Sequence, residues 1–376
     1  MLVKRPIYNQ QLHCVAFEIL SQQKIQPNDE IAHCLFELIH NSDTELPLFI
    51  PFSLKDILEK MEPPITNPII LKLPAEEIES IYPLAELQES LFSIALLVST
   101  PQQLAWLNFA EYIALTEQLM NGSDVTKVVR YSKAQNRKVI AYNLNKPISF
   151  DKCKAMTMDY YCGDFLFKPT DKGSTDIAAN KLNALQLIET LQKDDCNFSE
   201  ITDIIQTDPL LSFQLLKIAN SVLFSSGQKI VSIDQAVVRL GMINLKNWIM
   251  LLSMKNITDK PVEILESGLI RAHMAEQLTK SSKDIASQSA YTAGLLSILD
   301  CLIDRPMSEL INQITLADEI QNALLHHTGP LGELLALVVA YEEGHWENIP
   351  APYFRGQDLS KLYIDSLDFV AKTMHS

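Results

Sequence analysis

One acidic residue, Glu18, interrupts the apolar run AFEIL at residues 16–20. A carboxylate in such a run can ligate a metal or join an internal ion pair or hydrogen-bond network. The second is expected, because a charge removed from water needs a partner. Arg5 (RPIY, 5–8) and Lys168 (FKP, 167–169) could meet a phosphate, although cations of this kind are usually solvated. His273, in RAHMAE at 271–276, reads as a helix-packing or surface histidine. His326 and His327 are adjacent on a predicted helix end, so their side chains diverge by about 100° and do not easily share one metal. A helix C-terminus also favours a protonated imidazole. Asn220 and Ser221 read as a helix-ending hydrogen-bond device. The six cysteines, at 14, 34, 153, 162, 196 and 301, form no Cys-x-x-Cys pair and read as buried or free thiols of a reducing cytoplasm. The chain has no glycine-rich phosphate loop, GxSxG elbow or HExxH helix. Eleven glycines in 376 residues disfavour a backbone-cradled nucleotide.

These residues need elements to place them. The length predicts about two domains, each with an adequate core. The polar stretch KPTDKGST at 168–175 separates halves of different texture and sets the expected cut, 1–173 and 174–376. In the first half, strand-like runs at 2–8, 12–20, 46–52, 69–73, 91–98, 112–115, 138–144 and 160–167 alternate with helical spacing. Examples of that spacing are Ile31, Leu35, Leu38 and Ile39, or Val125, Val128 and Val129. Eight strands alternating with helices predict an α/β barrel, short for its class and therefore with trimmed helices. The tight connection between the first two runs predicts an antiparallel hairpin. Beyond residue 176 the strand signal stops. Asp208-Pro209, the capping box SIDQ at 232–235, Gly241, Asp304 with Pro306, and Gly344 punctuate a helical bundle of roughly nine or more helices. Trp106, Trp248 and Trp346 are expected as core or interdomain anchors. The net charge of −15, shared by both halves, argues against a nucleic-acid or anionic-membrane surface. No apolar run reaches the ~18 residues of a span, and no signal peptide is evident, so a cytoplasmic protein without membrane insertion is expected.

The second half carries IIQTDPLL at 204–211, LLKIANS at 215–221 and IDQAVVRLG at 233–241. In type and spacing these resemble the HDOD domain, similar to HD-type metal phosphohydrolases but without their metal ligands. His273 matches the first histidine of the HD pattern. Ser297 and Ile298 stand where its His-Asp pair belongs, and neither can hold a catalytic metal. In the first half, RPIY followed by AFEIL, with Phe17-Glu18-Ile19 as the triplet, and the closing CGDFLFKP at 162–169 resemble an EAL domain, the cyclic di-GMP phosphodiesterase family. That resemblance implies two metal ions on carboxylates and an asparagine at strand C-termini, activating water for attack on a phosphodiester. Glu18 matches the first ligand. The other positions fall on Pro51, Lys72, Leu97 and Val98, Ala114 and Thr116, the segment AYNLN at 141–145, and Cys162.

One carboxylate cannot hold two divalent ions, and Lys72 brings a positive charge to the same place. The expectation is therefore a degenerate, shortened EAL-like barrel followed by an HDOD bundle, with no catalytic, cofactor-binding or metal-binding residues and no cofactor. Such a chain would be a non-enzymatic signalling regulator or scaffold in a cyclic-di-GMP-related bacterial pathway (motility, biofilm or stress response), acting on a protein partner. The alternatives are a non-hydrolysing cyclic di-GMP sensor and an active phosphodiesterase or phosphohydrolase.

Overall fold

The computed structural model describes residues 1–22, 29–40, 45–61, 65–78, 92–170, 178–193, 196–207, 209–220, 230–280, 284–349 and 358–374. Internal contacts divide the chain into Met1–Lys168 and Pro169–Ser376. Residue 173, where the polar stretch suggested the cut, lies outside the described residues, as do Leu91, Asp208 and Ser221.

The first unit is a closed barrel of eight strands in sequence order: β1 (Leu2–Tyr8), β2 (Cys14–Ser21), β3 (Leu48–Pro51), β4 (Ile69–Pro74), β5 (Ser93–Val98), β6 (Tyr112–Leu115), β7 (Lys138–Ala141) and β8 (Tyr160–Cys162). β1 runs antiparallel to both β2 and β8, and every other neighbouring pair is parallel. The hairpin expectation is met, but several strands are shorter than their apolar runs. Leu12 sits in a turn at φ +61, where Asn9 Oδ1 accepts from the backbone N–H groups of Gln11 and His13, so β2 starts only at Cys14. β7 stops at Ala141, just before Asn143 turns left-handed at φ +56. β8 stops at Cys162 because Gly163 takes φ +135, against backbone so close that a Cβ would lie 2.4 Å from Leu144 N; Phe165–Phe167 then form a 3-10 turn.

The flanking helices are short, as the length required: α1 (Asp29–His40), α2 (Lys55–Glu59), α3 (Glu117–Met120), α4 (Val125–Ala134) and α5 (Pro147–Ala155). Ile31, Leu35, Leu38 and Ile39 of α1, and Val125, Val128 and Val129 of α4, are buried. Side chains alternate along each strand, so Ile7, Ala16, Phe49, Ile70, Ala95, Ala114 and Ile140 point inward and fill the barrel with apolar packing. Burying an isoleucine or phenylalanine side chain here contributes about 1.5–3 kcal/mol. Two residues on, the same inward direction brings up Glu18, Pro51, Lys72, Leu97, Thr116 and Tyr142. This layer lies at the strand C-termini, where barrel enzymes place their chemistry.

The second unit holds eleven helices and no strand among its described residues. They are α6 (Ala179–Gln192), α7 (Phe198–Thr207), α8 (Pro209–Ala219), α9 (Ile233–Lys255), α10 (Val262–Thr279), α11 (Ser287–Leu296), α12 (Leu299–Ile303), α13 (Met307–Ile311), α14 (Asp318–His326), α15 (Gly329–Glu342) and α16 (Leu359–Met374). Ser232 Oγ accepts from Gln235 N at 3.3 Å, while the Gln235 side chain accepts from Val231 N, one residue earlier than a capping box requires. Gly241, at φ +73, kinks α9 instead of ending it. Asp304 opens no helix. It closes α12 in the left-handed region, and its Oδ1 accepts from Lys260 Nζ (2.9 Å) and Thr170 N (3.0 Å). Asn220 is the expected end-of-helix device: its amide donates to the carbonyls of Leu216 and Ile230 and accepts from Ile230 N. Trp248 is buried in α9, whereas Trp106 and Trp346 are half-buried. α10 and α11 meet at Gly294, where a Cβ would lie 2.6 Å from Ala272 Cα. Among the described residues no single helix is long and apolar enough to cross a membrane.

Candidate functional site

The C-terminal layer of the barrel converges on Glu18, whose side chain is fully buried. Arg5 lies directly opposite it in the β1–β2 ladder, the closest cross-strand position available. Its Nε and Nη2 donate to Glu18 Oε2 at 3.1 and 2.7 Å. The Cys162 thiol, on the strand that closes the barrel, donates to the same oxygen at 3.0 Å. Oε1 accepts from Tyr142 OH at 2.6 Å and from Lys72 Nζ. Lys72 also donates to Ile19 O at 3.1 Å, and Arg5 Nη2 donates to Asn143 Oδ1 at 2.8 Å. Asp164, a further buried carboxylate, stands 3.8 Å from Arg5 Nη1. Two cations and two carboxylates thus neutralise one another around a fully buried Glu18.

Burial works against the ionised form of Glu18, but Lys72 and Arg5 outweigh it and hold the carboxyl well below the usual range. Burial raises the Cys162 thiol and the Tyr142 phenol, and the Glu18 charge beside them raises both further, so each stays protonated and donates. Both Glu18 oxygens are fully subscribed. Pro51 and Leu97 offer no donor atoms, and the Thr116 hydroxyl is directed to Val98 O and Ser99 Oγ. The donor set does not fit a pair of divalent ions. No group of three or more His, Cys, Asp or Glu residues that could hold a metal occurs among the described residues.

The sequence places Glu18, Lys72 and Cys162 in this layer. It misplaces Arg5, whose side chain is only 12% exposed and is spent on Glu18, not on solvent. It misses Tyr142, Asn143 and Asp164, which reach Glu18 or Arg5 only once the ring is closed. Lys168, by contrast, is exposed.

The helical unit repeats the pattern. Arg271, buried on α10, donates through Nε and Nη2 to Glu342 Oε2 (3.1 and 2.8 Å) and through Nη2 to Glu343 Oε1 (3.1 Å). Its Nη1 reaches Ser297 Oγ at 3.4 Å, and Ser267 Oγ donates to Glu342 Oε1 at 2.8 Å. Ser297, where the resemblance to the HD pattern would put a histidine, therefore faces a guanidinium. His273 is not part of this cluster. It stacks on Phe369 at 4.4 Å, with Nδ1 2.9 Å from Ser366 Oγ and Nε2 3.1 Å from Gln277 Nε2. Ser366 donates onward to Leu362 O. Gln277 must then donate to Nε2, leaving the proton on Nδ1 of a neutral ring. Burial, followed by Lys280, pulls its pKa down to about 4.

Comparison with known proteins adds the family of the helical unit: residues 181–328 match the HDOD domain. Over 250 residues the chain is 29% identical to the uncharacterized protein YuxH of Bacillus subtilis (strain 168), covering 62% of this chain and 61% of that protein. Over 252 residues it is 25% identical to the cyclic di-GMP phosphodiesterase CdgJ of Vibrio cholerae serotype O1, covering 65% of this chain and 58% of that one. The chain spans about three fifths of the length of the curated relatives it matches. Among solved structures, an EAL domain protein from Listeria monocytogenes EGD-e is similar at TM-score 0.35 and 12% identity, covering 44% of this chain and 86% of that one. At that score the likeness adds nothing to the barrel topology itself.

Proposed function

We propose that this chain is a non-catalytic signal-transduction regulator in a cyclic-di-GMP-related pathway, in which a degenerate EAL-like barrel and an HDOD bundle act by contact with a protein partner. The observation that carries the reading is the state of Glu18. The Glu18 carboxylate, at the C-terminal end of the barrel strands, accepts five hydrogen bonds, three of them from the Arg5 guanidinium and the Lys72 ammonium. Metal-assisted hydrolysis of a phosphodiester needs carboxylate oxygens free to bind the ions that activate water, and here an ammonium and a guanidinium occupy that role. In the helical unit, Arg271 beside Ser297 likewise puts a cation where the HD pattern requires a cation's ligands.

A phosphodiesterase is the competing reading, favoured by the name of one relative, CdgJ. Incubating the full chain with cyclic di-GMP and magnesium or manganese separates the two. No linear dinucleotide above the buffer control is expected. Turnover that disappears with Glu18→Ala would overturn the proposal.

A further inference from the structure

The reading above rests on protein contact, and one surface of the helical unit indicates what kind of contact. A groove runs between α7 and the first half of α9. Phe198, Thr202 and Gln206 supply one wall at helical spacing, which puts them on a single face. Asp234, Val237 and Val238 supply the other. Val237 is buried and forms the floor, whereas Val238 is 81% exposed and Phe198 44% exposed at the edges. An aromatic ring and a β-branched side chain thus stand open to solvent among the polar side chains of Ser199, Thr202, Gln206 and Asp234. The only charged side chain in the lining is the Asp234 carboxylate, which is exposed and forms no ion pair among the described residues.

These features select the occupant. An extended strand would need a sheet edge to pair with, and two helix faces provide none. A helix laid along the groove presents residues at i, i+4 and i+7 to Phe198, Val237 and Val238. A second copy of this chain would bring another Asp234 and another −15 of charge to the contact, so like charges oppose self-association. A cationic helix is attracted by both the rim carboxylate and the overall field. The N-terminal amides of α9 share the Asp234 charge. Phe198, Val237 and Val238 supply the apolar contact, Ser199, Thr202 and Gln206 supply hydrogen-bonding groups beside it, and Asp234 sets orientation and charge preference. We propose that the α7–α9 groove is the docking site for a basic amphipathic helix of a partner protein.

The probes are two labelled helical peptides with leucines at i, i+4 and i+7. One carries lysines on its polar face and the other carries glutamates at the same positions. Fluorescence polarisation with the full chain, at about 0.15 M salt to suppress non-specific attraction, is expected to show the lysine peptide binding about tenfold or more tightly than its twin. Val238→Asp, at an exposed position that leaves the fold intact, should weaken that binding about tenfold. Asp234→Lys should shift the preference toward the glutamate peptide. The proposal is overturned if neither peptide binds or if binding ignores both substitutions. It is also overturned if sedimentation shows a dimer that Val238→Asp dissociates, since the groove then belongs to a second copy. Cyclic di-GMP turnover is measured separately, so failure here is distinguishable from failure of the non-catalytic reading.

Discussion

Lys72→Met is the sharpest perturbation of the barrel, because methionine keeps most of the aliphatic stem and deletes only the ammonium. Glu18 would lose the donor at Oε1 that Lys72 shares with Tyr142 and keep the two Arg5 bonds at Oε2. Stranding a buried charge by removing its partner costs about 3–5 kcal/mol, and the retained Arg5 puts this case near the lower end, about 3 kcal/mol. In a Glu18→Gln background the same substitution removes a cation with no anion beneath it and should cost about 1 kcal/mol or less, a coupling of about 2 kcal/mol. Urea unfolding read at Trp106, the only tryptophan of the barrel unit, with Trp106→Phe as the control that assigns the signal, measures all four corners of the cycle. The folded-state pKa of Glu18 is depressed, so its contribution is complete above the unfolded value of about 4.3 and disappears as pH falls further. The variant's stability should therefore depend less on pH below that point. A coupling under about 0.5 kcal/mol would show that Lys72 acts by packing and that the electrostatic account is mistaken.

Four further outcomes follow. Arg271→Met strands Glu342 and Glu343 and should destabilise the helical unit by about 3–5 kcal/mol in urea unfolding read at Trp248, while Arg271→Lys, unable to fork, should recover only part of it. His273 has a folded pKa of about 4 against the ordinary 6.5. The unfolded chain therefore takes up its proton first on acidification, stability should fall between those values and level off below, and His273→Gln should flatten that slope. Cys162 should resist iodoacetamide in the folded chain, since burial and Glu18 hold its thiol protonated, whereas the half-buried Cys14 and Cys34 should label first by mass spectrometry. Calorimetric titration with cyclic di-GMP should release no heat at tens of micromolar; saturable heat would favour a sensor, and loss of that heat in Lys72→Met would place the nucleotide in the barrel.

The barrel was legible in the alternation of its eight runs, and the place of Glu18, Lys72 and Cys162 in one layer was legible in the same pattern. Strand ends were not, because apolar runs continue past the points where Leu12, Asn143 and Gly163 turn the backbone to positive φ. The identity of Glu18's partners was hidden for a different reason. Arg5 is paired by hairpin register, and Tyr142 and Cys162 by barrel closure, neither of which has a local signature. Arg271 did leave a trace that could have been read: a lone charge within SGLIRAHMA, an otherwise apolar helical stretch, needs a buried acid, and Glu342-Glu343 is available. Asp304 was misassigned because an aspartate before proline usually opens a helix, whereas here the left-handed turn and Lys260 claim it.

The Glu18 cluster also bears on how the barrel assembles. Its donors lie 13, 54, 124 and 144 residues away along the chain. Only Arg5 is supplied by the first hairpin; Lys72, Tyr142 and Cys162 must each be brought in across a longer loop, and such closures slow folding before they reward it. An open, half-wound sheet would keep Glu18 in water, where it costs nothing. Desolvating it becomes less costly as β4, β7 and β8 each bring a donor. The cluster therefore penalises partly closed rings and favours completion of the barrel, through a carboxylate that the first twenty residues already carry.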